Sequence, residues 1–158
     1  MQLITPFLWF NTNAEEAMQF YTAIFPNSRI GSTMQHIEGT PGPDTDVFTG
    51  SFVLNGQEFT AINGGPGFEF TEATSFVVNC KDQEEVDYYW SRLLADGGKE
   101  SQCGWLKDKF GLSWQAVPIV MLQMFRDKDK AKSQRAMQAM LKMKKLDIAT
   151  LQRAFDGE

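Results

Sequence analysis

The stretch Glu15-Glu16-Ala17-Met18-Gln19-Phe20-Tyr21-Thr22-Ala23-Ile24-Phe25 is the key to the fold, because its pattern returns 69 positions later. The second copy is Glu84-Glu85-Val86-Asp87-Tyr88-Tyr89-Trp90-Ser91-Arg92-Leu93-Leu94. Both copies set apolar residues at i, i+3, i+4 and i+7 behind an acidic first turn, the signature of an amphipathic helix. A short apolar run precedes each: Phe7-Leu8-Trp9-Phe10-Asn11 in the first case, Ser75-Phe76-Val77-Val78-Asn79 in the second. A duplicated strand-then-helix unit predicts two similar half-folds packed together, with a site where they meet.

Downstream of the first copy, Phe25-Pro26-Asn27-Ser28 ends the helix, and Arg29–Ile37 reads as a strand. Residues 38–45, rich in glycine and proline, read as a loop. Phe48, Gly50, Phe52 and Leu54 then alternate with Thr49, Ser51 and Val53 in the period of a strand. Asn55-Gly56 supplies a type I′ hairpin turn into a return strand, Gln57–Asn63. The first half is therefore β-α-β-β-β. Asn63-Gly64-Gly65-Pro66-Gly67 precedes no helix, so it reads as a connecting loop and not as a phosphate cradle.

The second half repeats the plan. Ser75–Asn79 is a strand, Asp82 caps a helix running to about Ala95, and Asp96-Gly97-Gly98 ends it. Ser101–Leu106 and Leu112–Val117 read as strands around the Asp108-Lys109-Phe110-Gly111 turn. Pro118 starts a short helix, Ile119–Phe125. A longer one spans Lys130–Lys145, with Met137, Met140, Leu141 and Lys144 on one face as a packing surface. Asp147 caps a final turn with Leu151 and Phe155. The fold class is α+β: a first βαβββ module over 1–70, a second over 71–125, and a helical C-terminal extension over 126–158, in one compact domain.

Composition sets the limits. The 158 residues, 42% apolar and 13% aromatic, are those of a globular chain with a real core. The start has no basic flank and its apolar run stops at Asn11, so no signal peptide is expected. No 18 apolar residues run together, so no membrane span is expected either. Cys80 and Cys103 lack C-x-x-C spacing and read as reduced, inert thiols of a cytoplasmic protein. Residues 1–125 hold 6 basic and 15 acidic groups, a balance of −9, and residues 126–158 hold 9 and 5, a balance of +4. The basic tail intersperses its signs and carries only Phe155 as an aromatic. It reads as a solvated or docked helix face and not as a nucleic-acid site.

Paired β-α-β-β-β modules closed by Leu112-Ser113-Trp114-Gln115-Ala116-Val117-Pro118 resemble the vicinal oxygen chelate superfamily of glyoxalase I, extradiol dioxygenases and bleomycin-resistance proteins. Ala14-Glu15-Glu16-Ala17, Phe20-Tyr21, Gly111-Leu112-Ser113-Trp114-Gln115 and Met140-Leu141-Lys142-Met143-Lys144-Lys145-Leu146-Asp147-Ile148 make the chain similar to the PhnB-like branch, labelled 3-demethylubiquinone-9 3-methyltransferase-like. The resemblance covers nearly the whole chain. It implies sheets curled around a cavity and pairing of modules or subunits, hence a homodimer.

Enzymes of that superfamily bind a divalent metal through His, Gln or Glu on the first and last strands of each module. The repeat offset puts the equivalent positions at Pro6, Ser75, Thr60 and Gln115, of which only Gln115 is a ligand the superfamily uses. The usual metal is therefore expected to be absent, and no cofactor is expected. Strand parity sets Leu8 and Phe10 with Pro6, Glu58 and Ile62 with Thr60, Val77 and Asn79 with Ser75, and Ser113 and Val117 with Gln115. The ligand-binding residues nominated are Leu8, Phe10, Glu58, Thr60, Ser75 and Gln115, lining a mostly apolar cavity suited to a small, partly aromatic or acyl molecule. Trp9, Phe59 and Trp114 fall on the opposite face as core. His36, the one histidine, reads as a surface residue near Glu38, with a general-base role as the alternative. Catalytic residues are not identified. A small-molecule-binding protein is the leading expectation, and an enzyme of glyoxalase or dioxygenase type, or a methyltransferase, is the alternative. A methyltransferase of the usual S-adenosylmethionine fold would need a glycine turn opening a helix in a parallel sheet, which the hairpins here do not supply.

Overall fold

The structure is a computed structural model and describes residues 2–158. The chain divides into two compact units, one running through Phe70 and the other from Thr71 to Glu158. The first contains β1 (Phe7–Phe10), α1 (Ala14–Ile24), β2 (Arg29–Met34), β3 (Thr49–Leu54) and β4 (Gln57–Asn63). The second contains β5 (Ser75–Cys80), α2 (Gln83–Leu93), β6 (Lys99–Glu100), β7 (Trp105–Lys107) and β8 (Ser113–Pro118), followed by α3 (Ile119–Phe125), α4 (Lys130–Met140) and α5 (Ile148–Asp156). Each unit has a four-stranded mixed sheet of the same order, β1-β4-β3-β2 and β5-β8-β7-β6. The opening and closing strands are parallel neighbours in both, and the remaining pairs are antiparallel.

The repeated helical pattern does what its period requires. Ala14, Ala17, Met18, Tyr21 and Ile24 of α1 are buried, as are Val86, Trp90 and Leu93 of α2. Beneath α1, Phe52 and Phe59 stack with centroids 5.2 Å apart, and Tyr21 stacks on Phe52 at 6.3 Å. The two helices are started differently. Asp82 accepts from the Glu85 amide at 2.9 Å, while Glu85 accepts from the Lys81 amide at 2.8 Å. Asn13 makes no such bond. Instead buried Asn63, at the end of β4, accepts from the Ala14 amide at 2.8 Å and donates to the Val47 carbonyl at 2.8 Å. A side chain 49 residues away thus satisfies the orphan donor of the first turn.

Asn55 and Gly56 have φ of 46° and 83°, as a type I′ hairpin demands. The glycine run after β4 is a connection with a packing role: Trp9 donates through Nε1 to the Gly65 carbonyl at 2.9 Å, and a Cβ on Gly64 would strike the Trp9 indole. Asp108 organises the β7–β8 turn. Its carboxylate, 3% exposed, accepts from the amides of Phe110 and Leu112 and from Trp114 Nε1 at 2.9 to 3.1 Å.

Three elements differ from the sequence reading. β2 stops at Met34. Of the strand expected over Ser101–Leu106, residues 101–104 form the turn between β6, which precedes it, and β7; in that turn Cys103 and Gly104 take φ of 58° and 84°. The helix expected to reach Lys145 ends at Met140, because the next residues serve another purpose. The carbonyls of Met143 and Lys144 accept from the amides of Cys103 and Gly104 at 2.8 and 2.7 Å. The Gln83 side chain donates to the Leu146 carbonyl at 3.1 Å and accepts from the Ile148 amide at 2.8 Å. Lys145 pairs with Asp87 at 2.6 Å. The segment 143–148 is therefore a strap holding the last helices to α2 and the β6–β7 turn.

The helical face also differs. Ala136 is buried, and Ala139, Met140 and Met143 pack against a core of Val117, Met121, Met124, Leu146 and Leu151, with Phe155 alongside. Met137 and Leu141 stay exposed. Arg135 joins α4 to α5 by donating to the carbonyls of Ala154 and Phe155 at 2.9 and 2.7 Å.

Two experiments test this packing. Asp108→Ala strands three buried or half-buried donors and should cost about 3 kcal/mol in denaturant unfolding; a loss under about 0.5 kcal/mol would show that the donors find other partners. Ending the chain at Asp127 uncovers Val117, Met121 and Met124, and calorimetry should find a lower thermal midpoint. An unchanged midpoint would mean that the last two helices give the second unit no stability.

Candidate functional site

Each sheet has one face covered by its helix and one face free of it, and register fixes which residues share the open face. In the first unit Phe7 pairs with Thr60, Leu8 with Ala61, Trp9 with Ile62 and Phe10 with Asn63. Opposed residues in adjacent strands point to the same side. Phe7 and Trp9 therefore share a face with Glu58, Thr60 and Ile62. Leu8 and Phe10, 6% and 3% exposed, lie on the helix side with Phe59, Ala61 and Asn63. This corrects the parity assigned from sequence. The Thr60 amide donates to the Pro6 carbonyl at 2.9 Å, which seats Phe7, and not Pro6, opposite Thr60. A slip of one residue exchanges the faces of the whole strand. Trp9 accordingly leaves the core, while Phe59 and Trp114 stay in it.

Glu58 is half-buried and engaged. Its amide donates to Gln2 Oε1 at 3.2 Å, its carbonyl accepts from Gln2 Nε2 at 2.7 Å, and its carboxylate accepts from the Gln2 amide at 3.4 Å. The Gln2 side chain thereby extends the sheet as a backbone would. Phe68 meets Trp9 edge-on at 4.9 Å and is itself 68% exposed, so this face presents aromatic surface around Thr60 and Glu58.

In the second unit Ser75 pairs with Ser113, Val77 with Gln115 and Asn79 with Val117. These residues share the face turned away from α2, as the alternation predicts, and at its end Val117 is buried against the C-terminal helices. Ser75 and Gln115 meet directly: Gln115 Nε2 donates to Ser75 Oγ at 2.9 Å. Trp105 and Lys107 on β7 stand opposite Gln115 and Ser113 and complete that face. The Ser113 hydroxyl is buried without a hydrogen-bond partner. Sequence reasoning passed over Trp105 and Lys107, because their alignment with Gln115 and Ser113 depends on the hairpin closing at Asp108.

The positions equivalent to the superfamily's metal ligands do not fit a transition metal. The side chain of Pro6 offers no donor atom and its carbonyl is taken by the Thr60 amide, Thr60 faces Phe7, and the Gln115 amide is turned to Ser75 as a donor. Among the described residues no three or more His, Cys, Asp and Glu side chains come together as a metal cluster. His36 lies elsewhere, in a cleft of about 510 Å³ lined by Glu38, Gly42, Asp44 and Asp46. Its Nε2 is 3.3 Å from Thr40 Oγ1, and its ring meets Phe48 edge-on. None of the six ligand-binding residues nominated from sequence lines that cleft. Among the described residues, no helix is long and apolar enough to cross a membrane.

Burial, with the Glu85 carboxylate nearby, pushes the Cys80 thiol up to about 12, so it stays protonated at neutral pH. Cys103 is half-buried. A disulfide-exchange reagent should therefore label Cys103 in the native protein and reach Cys80 only on unfolding. Two thiols reacting at equal rates under native conditions would contradict the burial of Cys80.

No curated protein matches the chain. A PhnB protein from Bacillus cereus, with the 3-demethylubiquinone-9 3-methyltransferase description, is 40% identical over 74% of this chain and 99% of its own, with a TM-score of 0.67. A Pseudomonas aeruginosa protein is 20% identical over 75% of this chain and 98% of its own, at a TM-score of 0.60. The fosfomycin resistance protein FosX from Listeria monocytogenes is 14% identical over 80% and 98%, at 0.58. The last two show the fold alone. The family model described as 3-demethylubiquinone-9 3-methyltransferase matches residues 2–117, which end just before α3. With its two β-α-β-β-β units and C-terminal helices, the chain belongs to this PhnB-like family and has the two-module glyoxalase/bleomycin-resistance fold of the vicinal oxygen chelate superfamily.

Proposed function

We propose that this protein binds a small, partly apolar molecule on the open sheet faces, without the divalent metal of its superfamily, and that it does so as a homodimer in the cytoplasm. One observation carries this reading. The open face of the second sheet holds a paired amide and hydroxyl, Gln115 and Ser75, beside the apolar surface of Val77 and Trp105. A few polar groups set in apolar surroundings are what a small-molecule site requires for orientation. In the first unit Thr60 and Glu58, with Phe7 and Trp9, form the corresponding set. Leu8 and Phe10 support that set from the covered side of the sheet.

The family description names methyl transfer. Two features weigh against the usual S-adenosylmethionine fold. The sheets pair mostly antiparallel, and Gly64-Gly65-Pro66-Gly67 leads into no helix that could present free amides. The description still makes an enzymatic role the second reading, and fold alone does not choose a chemistry.

Native mass spectrometry of freshly purified protein tests both parts. The expected spectrum is a dimer carrying a small organic adduct and no stoichiometric metal, with the adduct reduced by Gln115→Ala. A monomer would refute the dimer. An adduct of zinc, nickel, iron or manganese lost on the same substitution would refute metal independence. Tight binding of added S-adenosylmethionine would favour the second reading.

A further inference from the structure

We propose that the molecule held on the second sheet is a carboxylate, seated by a row of side chains crossing four strands. The inference rests on the reading of this face as a binding surface and adds the charge of its ligand. Ser75 opposes Ser113, Ser113 opposes Lys107, and Lys107 opposes Lys99, so one row on the open face runs from two hydroxyls to two ammonium groups. Two features of that row are unfavourable without an anion. Like charges set directly across a strand pair repel. The Ser113 hydroxyl is fully buried and unpartnered, which costs the desolvation of a polar group with no return.

Glu72 neutralises part of this charge through a 2.7 Å contact with Lys107, and its own carboxylate, 64% exposed, is held below the usual range by that hydrogen bond. Two lysines and one glutamate leave a local charge of +1, which suits a monoanion such as a carboxylate better than a phosphate dianion. One carboxylate oxygen would take the Lys107 ammonium and the other the Ser113 hydroxyl. The Lys107 side chain, one-third exposed and unbranched, would exchange part of its contact with Glu72 for the ligand as it admits it. The next row, Val77, Gln115 and Trp105, would hold the apolar part of the ligand and donate one amide hydrogen bond.

Calorimetric titration of the full chain with benzoate and with neutral benzamide tests the inference. Benzoate should bind about tenfold more tightly, the gain typical of one charge-assisted hydrogen bond. Lys107→Met should abolish that preference. Ser113→Ala should weaken benzoate several-fold while leaving the thermal midpoint unchanged or higher, since it removes an unpartnered hydroxyl; a purely structural serine would give no change in affinity. Equal affinities for the two probes would overturn the carboxylate and leave the binding face intact. No binding of either probe would overturn both readings. Benzoate binding untouched by both substitutions would place the anion elsewhere and overturn the row.

Discussion

In each unit the strand that opens the module lies parallel to the strand that closes it, and this pairing dictates both the path of the chain and the register of the sheet. Parallel neighbours cannot be joined by a tight turn, so the chain must cross over the sheet. The amphipathic helices α1 and α2 begin that crossing, and each buries its apolar stripe on the sheet face beneath it. Register comes from the same contact. Phe7 opposite Thr60, and Ser75 opposite Ser113, decide which side chains meet the helix and which meet the open face.

Burial then has to satisfy the polar groups it traps. The two units solve this with different residues at equivalent places. Asn63 reaches from a strand end to start α1, whereas α2 carries its own cap at Asp82. Asp108 gathers three donors in the β7–β8 turn, and the Trp9 indole closes over the glycine run after β4. The strap at 143–148 uses main-chain hydrogen bonds to fix three helices that mostly pack on one another. The family model ends at residue 117, and these helices lie beyond its reach.

The open faces have contrasting chemistry. The first is aromatic around Thr60 and Glu58, and Gln2 holds the backbone and carboxylate of Glu58. The second concentrates hydroxyls, an amide and lysines in adjacent rows. Among the described residues neither gathers the imidazole and carboxylate groups that a transition metal needs.

The duplication, the two helices, the Asn55-Gly56 hairpin and the shared face of Ser75 and Gln115 are all legible in the amino-acid sequence. Each rests on local periodicity, turn chemistry or the 69-residue offset, which need no knowledge of distant contacts. The faces of Leu8 and Phe10 were not legible in this way. Phe7-Leu8-Trp9-Phe10 is apolar throughout, so alternation carries no sign, and only the Thr60–Pro6 hydrogen bond sets its parity. The end of α4 was equally hidden. Helical periodicity continues through Leu141, but the amides of Cys103 and Gly104 draw the following carbonyls out of the helix. The row from Ser75 to Lys99 joins four strands, three of them separated from one another in sequence by turns. It exists only in the folded sheet, because hydrogen bonding between strands is what brings residues distant in the chain onto one face.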